Sequence, residues 1–294
     1  MAVPKLKVWI AAARPKTLPA AVAPVLIGFA MAYDDACLNV PVLALTFLAA
    51  LLIQIGTNLA NDYYDYVKGA DRSDRVGPVR ATQAGLVAPG QMKAAFLLTF
   101  AAAALVGLYL VDHGGWPILV IGAASLVCAV LYTAGPFPLA YLGLGELFVL
   151  PFFGPIAVGG AYYLQCGQIK TDVLIAGFAP GLFSVAILAV NNFRDSDTDR
   201  AAGKKTLAVR FGRRFGVAEY IACVITACLV PLYIVLARRA NFGAILAALT
   251  LAAAVLPVRT VLRRPSPEVL NNVLAQTGGL LLLYSMLFSV GWLL

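Results

Sequence analysis

Long apolar segments that follow one another along the chain constrain its fold more than any other feature. Of the 294 residues, 61% are hydrophobic and 12% are charged, whereas soluble domains carry about 25% charged residues. Because about 20 apolar residues cross the hydrocarbon core of a bilayer, the sequence predicts an all-α, polytopic membrane protein with a nine-helix bundle. The predicted spans are residues 20–34, 41–64, 92–112, 116–134, 140–164, 171–192, 216–237, 242–259 and 268–294.

Basic residues are divided unevenly between the two sets of loops that these spans define. The N-terminus and every second loop carry 19 of the 22 lysines and arginines, and the remaining loops carry only Lys170, Arg238 and Arg239. Cytoplasmic loops are enriched in Lys and Arg. We therefore expect a multi-pass protein of the bacterial cytoplasmic (inner) membrane, with its N-terminus and long loops in the cytoplasm. The net charge of +8 then follows from topology and indicates no nucleic-acid partner.

No linker divides the chain, so residues 1–294 are interpreted as a single membrane domain. Residues 1–16 are predicted to be an interfacial segment, and residues 62–91 and 193–215 to be two cytoplasmic catalytic loops. The five cysteines are scattered, mostly within predicted spans, with no CxxC motif and no neighbouring histidine. We expect them to be buried residues without a redox or metal-binding role.

The two long loops begin with asparagine and aspartate at helical spacing. Asn58, Asp62 and Asp65 follow an i, i+4, i+7 pattern, which places all three on one face of an α-helix. Asn191, Asp195 and Asp199 repeat the arrangement at i, i+4 and i+8. If the two helices face each other, their carboxylates repel one another near hydrocarbon, and a cation must lie between them.

Mg²⁺ is the cation that these ligands favour, because it takes hard oxygen donors and bridges a few carboxylates to substrate phosphates. Neither loop contains histidine or cysteine, which argues against zinc and copper. Basic residues beside the aspartates are candidates for binding a lipid diphosphate: Lys68, Arg72, Arg75, Arg80, Arg194, Lys204 and Lys205. The alternative is paired, solvated surface charge. It accounts less well for seven of the 14 acidic residues lying in two short stretches.

Several of these segments carry a resemblance. "NDYYD" with "DRVGPVRATQAGLV", and "NNFRDSDTDRAAGKKTLAVRFG", are similar to the two Asp-rich motifs of the UbiA superfamily of intramembrane prenyltransferases. "ARPKTLPAAVAPVLIG" and "GPFPLAYLGLGELFVLPFFGP" more narrowly resemble the branch that prenylates 1,4-dihydroxy-2-naphthoate in menaquinone synthesis. The resemblance implies nine helices, Mg²⁺ dependence and a cytoplasm-facing site.

The resemblance also implies residue roles. By position, the family's metal ligands would be Asn58, Asp62, Asp65, Asp195 and Asp199, and the four aspartates would be catalytic. The repeated helical spacing adds Asn191 to the metal ligands, and Tyr132, near a predicted cytoplasmic helix end, is the aromatic residue favoured for a direct catalytic role. Many members of the superfamily have a further aspartate where this chain has Gly69, so Asp71 or Asp74 would replace it.

The implied reaction joins a polyprenyl diphosphate to an aromatic acceptor. The acceptor would be 1,4-dihydroxy-2-naphthoate, which loses its carboxyl group as CO₂ to give demethylmenaquinone. Arg14, Lys16 and Arg80 are candidate partners for the acceptor carboxylate, and the intramembrane Glu146 is a further candidate acceptor-binding residue. The hydrocarbon tail would run between helices over small residues such as those of "AVAPVLIGFAMA".

Other functions remain open at this stage. The same mechanism could act on 4-hydroxybenzoate or homogentisate. A secondary transporter would place its charges near mid-span, whereas here they lie at one membrane edge, and a non-catalytic prenyl-lipid binder would not need two opposed Mg²⁺ sites. The bilayer and the two substrates are the expected partners, with no obligate protein partner evident.

Overall fold

The computed structural model describes residues 5–69, 77, 79–239, 241–263 and 265–294. Within these residues the secondary structure is entirely helical. The α-helices are α1 Lys5–Ala13, α2 Pro19–Asp34, α3 Val40–Val67, α4 Pro89–Gly114, α5 Trp116–Leu131, α6 Leu139–Leu142, α7 Gly145–Phe152, α8 Pro155–Cys166, α9 Thr171–Arg194, α10 Ser196–Ala201, α11 Leu207–Phe211, α12 Arg213–Arg238, α13 Thr250–Leu262 and α14 Pro267–Trp292. Two 3₁₀ segments, Pro15–Thr17 and Phe242–Leu249, precede α2 and α13.

The prediction of an all-α membrane protein is confirmed, and each predicted span falls on helix. By length and composition, seven helical segments of the described chain can cross a membrane, or eight if the pair Lys5–Thr17 and Pro19–Asp34, bent by 53°, forms one span. The short apolar helix Trp116–Leu131 occupies the fourth predicted span. The predicted count of nine is therefore approximate, because α5 is only 16 residues long.

The fifth predicted span, residues 140–164, is interrupted where α7 meets α8. Gly154 lies at the break, followed by Pro155, which has no N–H with which to continue α7. A Cβ atom added to Gly154 would lie 2.4 Å from the Leu150 carbonyl oxygen and 2.7 Å from that of Gly177 on α9. The break thus lets the backbone of α7 and α8 lie directly against α9.

Helix α9 is the centre of the molecule. In its most apolar stretch 72% of the residues are buried, against 22% for α3 and α4. Its Phe183 packs against Tyr284 of α14, with the ring centroids 5.5 Å apart and the rings tilted, and both side chains are fully buried. A central α9 explains how a motif at its end reaches the middle of the bundle, while α3 and α4 keep a broad lipid-facing surface.

The ends of α3 and α9 that carry the aspartate motifs define the motif end of the bundle. At the opposite end, Cys37 and Cys166 form a disulfide with a Cα–Cα distance of 5.1 Å. The expectation that every cysteine is an unpaired bystander is wrong for these two. The pairing could not be inferred from the sequence, because 129 residues separate the two cysteines and only the packing of α2 against α8 brings them together.

An ion pair lies beside the disulfide. Lys170 Nζ is 2.5 Å from Asp35 Oδ1, and the Tyr162 hydroxyl donates to Asp35 Oδ2 over 2.5 Å. Burial raises the pKa of Asp35, but the bonds from Lys170 and Tyr162 and the Lys170 charge outweigh it and lower that pKa below 3.8. Arg238 pairs with Asp172 nearby. Two of the three basic residues predicted for this end therefore have acidic partners.

Candidate active site

The first motif lies on the last turns of α3, so its aspartates belong to a helix and precede the loop. Asn58, Asp62 and Asp65 are 3%, 2% and 2% exposed, and they share one face as their spacing predicts. A charged carboxylate is this deeply buried only when it has partners that offset its desolvation. Each of the three side chains has a different set of partners.

Asn58 and Asp62 hold neighbouring backbone. The Asn58 amide donates to the Ala13 carbonyl oxygen over 2.9 Å, which fixes the end of α1. Asp62 accepts the backbone N–H groups of Ala81 and Thr82 over 2.9 and 3.0 Å, one on each carboxylate oxygen. Asp62 therefore fastens the segment that carries Arg80 to α3.

Asp65 is where the two motifs meet. It accepts from Arg80 Nη2 over 3.1 Å and from the Tyr141 hydroxyl over 3.1 Å. The Lys204 ammonium lies 3.5 Å from Asp65 Oδ1 and 3.6 Å from Asp199 Oδ1. One cation thus lies between a carboxylate of the first motif and a carboxylate of the second, as the charge argument required.

Asp195 is neutralised by the residue before it. Arg194 donates from Nε and Nη2 to the two Asp195 oxygens over 2.7 and 2.6 Å, and also to Asn191 Oδ1 and Asn271 Oδ1. The Arg194 side chain has no exposed surface. Arg194 thereby joins the end of α9 to α14. It was predicted to bind the diphosphate, but in the structure its side chain bonds to other protein side chains.

The segment between α5 and α7 forms a third wall of the site. Thr133 donates to Asn61 Oδ1 over 2.8 Å, and Lys68 donates to the Thr133 carbonyl oxygen over 2.7 Å. The backbone N–H of Lys205 donates to the Tyr141 carbonyl oxygen over 2.8 Å. Burial, with a smaller effect of the neighbouring Lys204 charge, lowers the pKa of Lys68, although the Asp65 charge acts in the opposite direction.

Gly143 permits the closest approach of this segment to the second motif. Its φ of 69° lies in the left-handed region, and a Cβ atom there would be 2.3 Å from the Lys205 carbonyl oxygen. Any other residue would push the two loops apart. Thr133 and Gly143 were not singled out from the sequence, because neither has a local signal that distinguishes it from a turn residue.

A cavity of about 530 Å³ extends from the site into the bundle. Its polar end is lined by Arg14, Gln54, Asn58, Asn61, Tyr132 and Asn191. Asp62 and Asp195 each follow a lining asparagine by four residues, about one helical turn of 5.4 Å, so the aspartate level lies just beyond the cavity. The remaining walls are largely apolar side chains of α2, α4, α5, α7 and α8.

The other predicted site residues lie in different surroundings. Arg14 and Tyr132 line the cavity, as an acceptor-binding and a catalytic residue would. Lys16 is exposed and Lys205 presents its side chain to the surface. Glu146 accepts a 2.8 Å bond from the Asn192 amide and does not line the cavity. Arg72, Arg75, Asp71 and Asp74 lie outside the described residues.

The carboxylate oxygens around Lys204 are suitable ligands for a magnesium ion. In the described part of the chain no three His, Cys, Asp or Glu side chains converge as a complete metal cage. Mg²⁺ does not require one, since it usually keeps several waters and binds one or two carboxylates together with substrate phosphates. Asp65 and Asp199 already share a cation, the Lys204 ammonium, and provide the hard oxygen atoms that Mg²⁺ prefers.

Comparison with known proteins identifies the class. The model of the UbiA prenyltransferase family matches residues 21–291, and the chain belongs to this family of membrane prenyltransferases. Among curated relatives, it is 37% identical to the 1,4-dihydroxy-2-naphthoate octaprenyltransferase of Escherichia coli (strain K12), over 98% of this chain and 95% of that protein. It is 35% identical to the enzyme of the same name from Haemophilus influenzae (strain ATCC 51907 / DSM 11121 / KW20 / Rd), over 99% and 97% of the two chains.

Solved structures share the fold at low sequence identity. A UbiA homolog from Archaeoglobus fulgidus bound to GPP and Mg²⁺ superposes with a TM-score of 0.67 and 14% identity, over 96% of this chain and 99% of that one. The family assignment sets aside the alternative of a secondary transporter.

Proposed function

We propose that this protein transfers a prenyl group from a polyprenyl diphosphate to 1,4-dihydroxy-2-naphthoate. The reaction depends on Mg²⁺, releases diphosphate and CO₂, and yields demethylmenaquinone. The observation that carries the proposal is the pair Asp65 and Asp199, which share a cation just beyond the polar end of an apolar cavity. A prenyl diphosphate matches this site, because its diphosphate would bind at the charged end and its hydrocarbon tail would occupy the apolar cavity.

Different residues would hold the metal and stabilise the diphosphate when the prenyl diphosphate ionises. Asp65 and Asp199 would hold the metal, with the remaining motif ligands adjacent. When bound, Mg²⁺ supplies positive charge to the diphosphate oxygens as the carbon–oxygen bond breaks. Lys204, Lys68 and Arg80 surround the same point and would stabilise the departing diphosphate. The exposed Lys205 and the two arginines Arg72 and Arg75 remain candidates for its outer oxygens.

The cavity would protect the allylic cation that remains. Its apolar walls exclude water, and the Tyr132 ring offers a π-face that stabilises positive charge without capturing it. Arg14 lines the same end and would pair with the acceptor carboxylate. Asp62 and Arg194, whose bonds hold backbone and other side chains, would act by keeping Asp65 and Asp195 in position.

The acceptor is inferred from the relatives. Two proteins that match nearly the whole chain are named 1,4-dihydroxy-2-naphthoate octaprenyltransferases. A third relative, from Synechocystis sp. (strain ATCC 27184 / PCC 6803 / Kazusa), is named 2-carboxy-1,4-naphthoquinone phytyltransferase and is 30% identical over 90% of this chain. Both names describe a bicyclic aromatic acceptor with a carboxyl group.

The orientation is also a proposal. The motif end carries most of the positive charge, and the positive-inside rule therefore favours a cytoplasmic location for it. The disulfide at the opposite end supports this assignment, because disulfides persist in the periplasm and are rare in the cytosol.

A competition assay tests the chemistry. Purified protein with Mg²⁺ and octaprenyl diphosphate is offered 1,4-dihydroxy-2-naphthoate, 4-hydroxybenzoate and homogentisate together, and products are separated by mass spectrometry. We expect prenylation of the naphthoate alone, with CO₂ release, and no turnover after chelation of Mg²⁺. Exclusive prenylation of either benzenoid acceptor would contradict the proposal.

Two aspartates of the second motif give a matched pair of variants. Asp199 is buried beside Lys204, whereas Asp197 is exposed two residues away. We expect Asp199→Asn to lower kcat by about 10²–10³-fold and Asp197→Asn to change it less than about threefold. An equal change in kcat for the two variants would show that Asp199 has no special role in the site.

A further inference from the structure

A hydrogen-bond network joins α3 to the segment that carries Arg14. The Asn58 amide nitrogen donates to the Ala13 carbonyl oxygen over 2.9 Å and to the Thr17 hydroxyl over 3.0 Å. The Gln54 amide nitrogen also donates to the Thr17 hydroxyl, over 3.3 Å. The Thr17 hydroxyl in turn donates to the Arg14 carbonyl oxygen over 3.0 Å. Two donors on α3 therefore hold one hydroxyl, and that hydroxyl holds the backbone of Arg14.

Arg14 has a backbone conformation that requires stabilising contacts. Its φ of 51° and ψ of 70° lie in the left-handed region, which a residue with a Cβ atom adopts only at a cost in free energy. Within the described residues, two others besides glycine have a positive φ, Ala36 and Arg239. Such angles persist where the surrounding structure fixes them, and they are concentrated at ligand-binding sites. Of these three residues, only Arg14 lines the cavity.

The segment after Arg14 is held from two sides. Arg14 separates α1 from the 3₁₀ segment Pro15–Thr17, which the network ties to α3. On its other side the segment packs against α14, where a Cβ atom added to Gly278 would be 2.9 Å from the Lys16 carbonyl oxygen. The backbone of Arg14 is thereby fixed, and its side chain lines the polar end of the cavity together with Tyr132.

Gln54 is a polar residue at the middle of a membrane helix. It lies halfway along α3 and is 8% exposed. A buried amide at this depth costs free energy unless it is hydrogen-bonded, and an apolar residue would avoid that cost. The bond to Thr17 accounts for a polar side chain at this position.

We infer that Thr17 and Gln54 are positioning residues for the aromatic acceptor, because they hold Arg14 in the conformation that places its guanidinium group at the acceptor carboxylate. The inference rests on the proposed function, which supplies the pairing of Arg14 with that carboxylate. It predicts that the two side chains affect the binding of aromatic carboxylates. Binding of the prenyl diphosphate, whose charged partners surround Asp65 and Asp199, should be unaffected.

Two ligands that differ by a carboxyl group test the inference. Binding of 1-hydroxy-2-naphthoate and of 1-naphthol to the purified protein is measured by isothermal titration calorimetry. Thr17→Val keeps the shape of the side chain and removes the hydroxyl. We expect this variant to weaken binding of the naphthoate about tenfold, as loss of a buried hydrogen bond does, and to change binding of 1-naphthol less than about twofold. Gln54→Leu should act in the same direction.

Two further variants serve as controls. Thr17→Ser keeps a hydroxyl and should restore binding of the naphthoate. Thr99→Val on α4 is the matched control, because the Thr99 hydroxyl donates to the Ala95 carbonyl oxygen of its own helix over 2.8 Å. It should leave the binding of both ligands unchanged.

A double-mutant cycle with Arg14 separates positioning from a general loss of structure. Arg14→Gln should weaken binding of the naphthoate about 10²-fold, since the lost bond is to a charged group. Adding Thr17→Val to Arg14→Gln should weaken it no further, because the residue that Thr17 positions is already gone.

Three results would overturn the inference: full affinity of Thr17→Val for the naphthoate, an equal loss for both ligands, or additive effects of Thr17→Val and Arg14→Gln. Failure of the proposed function has a different signature. In that case the unmodified protein prenylates no aromatic acceptor, whatever the calorimetry shows.

Discussion

Lys204 and Lys205 are adjacent in the chain, but their side chains lie in different surroundings. The Lys204 side chain is 15% exposed, and its ammonium lies between Asp65 and Asp199. The Lys205 side chain is exposed, and its backbone N–H is the group that bonds to Tyr141. The Lys204 charge reduces the repulsion between the two carboxylates.

The pair provides a test at the scale of single residues. We expect Lys204→Gln to lower kcat/KM for the prenyl diphosphate by about 10²-fold, since removing one such donor from a preorganised site has this effect. Lys205→Gln should change it by less than about threefold. Steady-state kinetics at saturating acceptor measure both values, and comparable losses would place Lys205 on the diphosphate as well.

At the scale of helices, the contact between α9 and the α7–α8 break holds the site together. Gly177 of α9 lies against Pro155, with an added Cβ atom 2.6 Å from the Pro155 Cα atom. These neighbours are backbone, which cannot turn aside as a side chain can. A methyl group at this position must move one helix relative to the other, and α9 carries the second motif at its end.

Gly177→Ala should therefore destabilise the fold by about 1–3 kcal/mol, the usual effect of overpacking. Thermal unfolding in detergent measures the change. Gly279→Ala is the control, because that glycine is exposed within α14 and has no neighbour within 4 Å. Its melting temperature should be unchanged or slightly higher, as alanine favours helix over glycine. A Gly177→Ala protein as stable as this control would show that the close approach is unimportant.

At the scale of the whole molecule, the two ends of the bundle are fastened by different chemistry. Buried ion pairs and hydrogen bonds to the backbone hold the motif end together, whereas a disulfide, with exposed ion pairs beside it, joins the helices at the opposite end. A crosslink over 129 residues restricts the unfolded chain strongly. Such bonds typically contribute about 2–5 kcal/mol to small domains.

Reduction of the Cys37–Cys166 bond should thus lower the melting temperature of the purified protein. The double variant Cys37→Ser/Cys166→Ser should melt at the reduced temperature and respond no further to reductant. In intact cells, a membrane-impermeant maleimide added after reduction should label the wild-type protein and not the double variant. If labelling occurred only after lysis of the cells, the disulfide would lie on the cytoplasmic side, which would contradict the proposed orientation.

The sequence predicted those features that depend on residues close together in the chain. Asn58, Asp62 and Asp65 share a face because helical geometry requires it. Asp65 and Lys204 were predicted to lie near each other because charges of both signs cluster at one membrane edge, and the structure brings them within 3.5 Å; their roles in the site stay predictions. The two bonds from Asp62 to Ala81 and Thr82, and the bond from Thr133 to Asn61, could not be predicted, because backbone groups and single threonines give no pattern. The pairing of Arg194 with Asp195 was also missed, since a buried arginine and a ligand-binding arginine look alike in sequence.

By itself the sequence determined that this chain crosses a membrane several times and gathers two acidic motifs at one edge, because hydrophobicity and helical spacing are local properties. Only the tertiary structure decided which aspartates share a cation, which cysteines form a bond, and which helices line the cavity. Those outcomes depend on which helix faces are neighbours, and the side-chain periodicity of one helix does not specify the helix that packs against it.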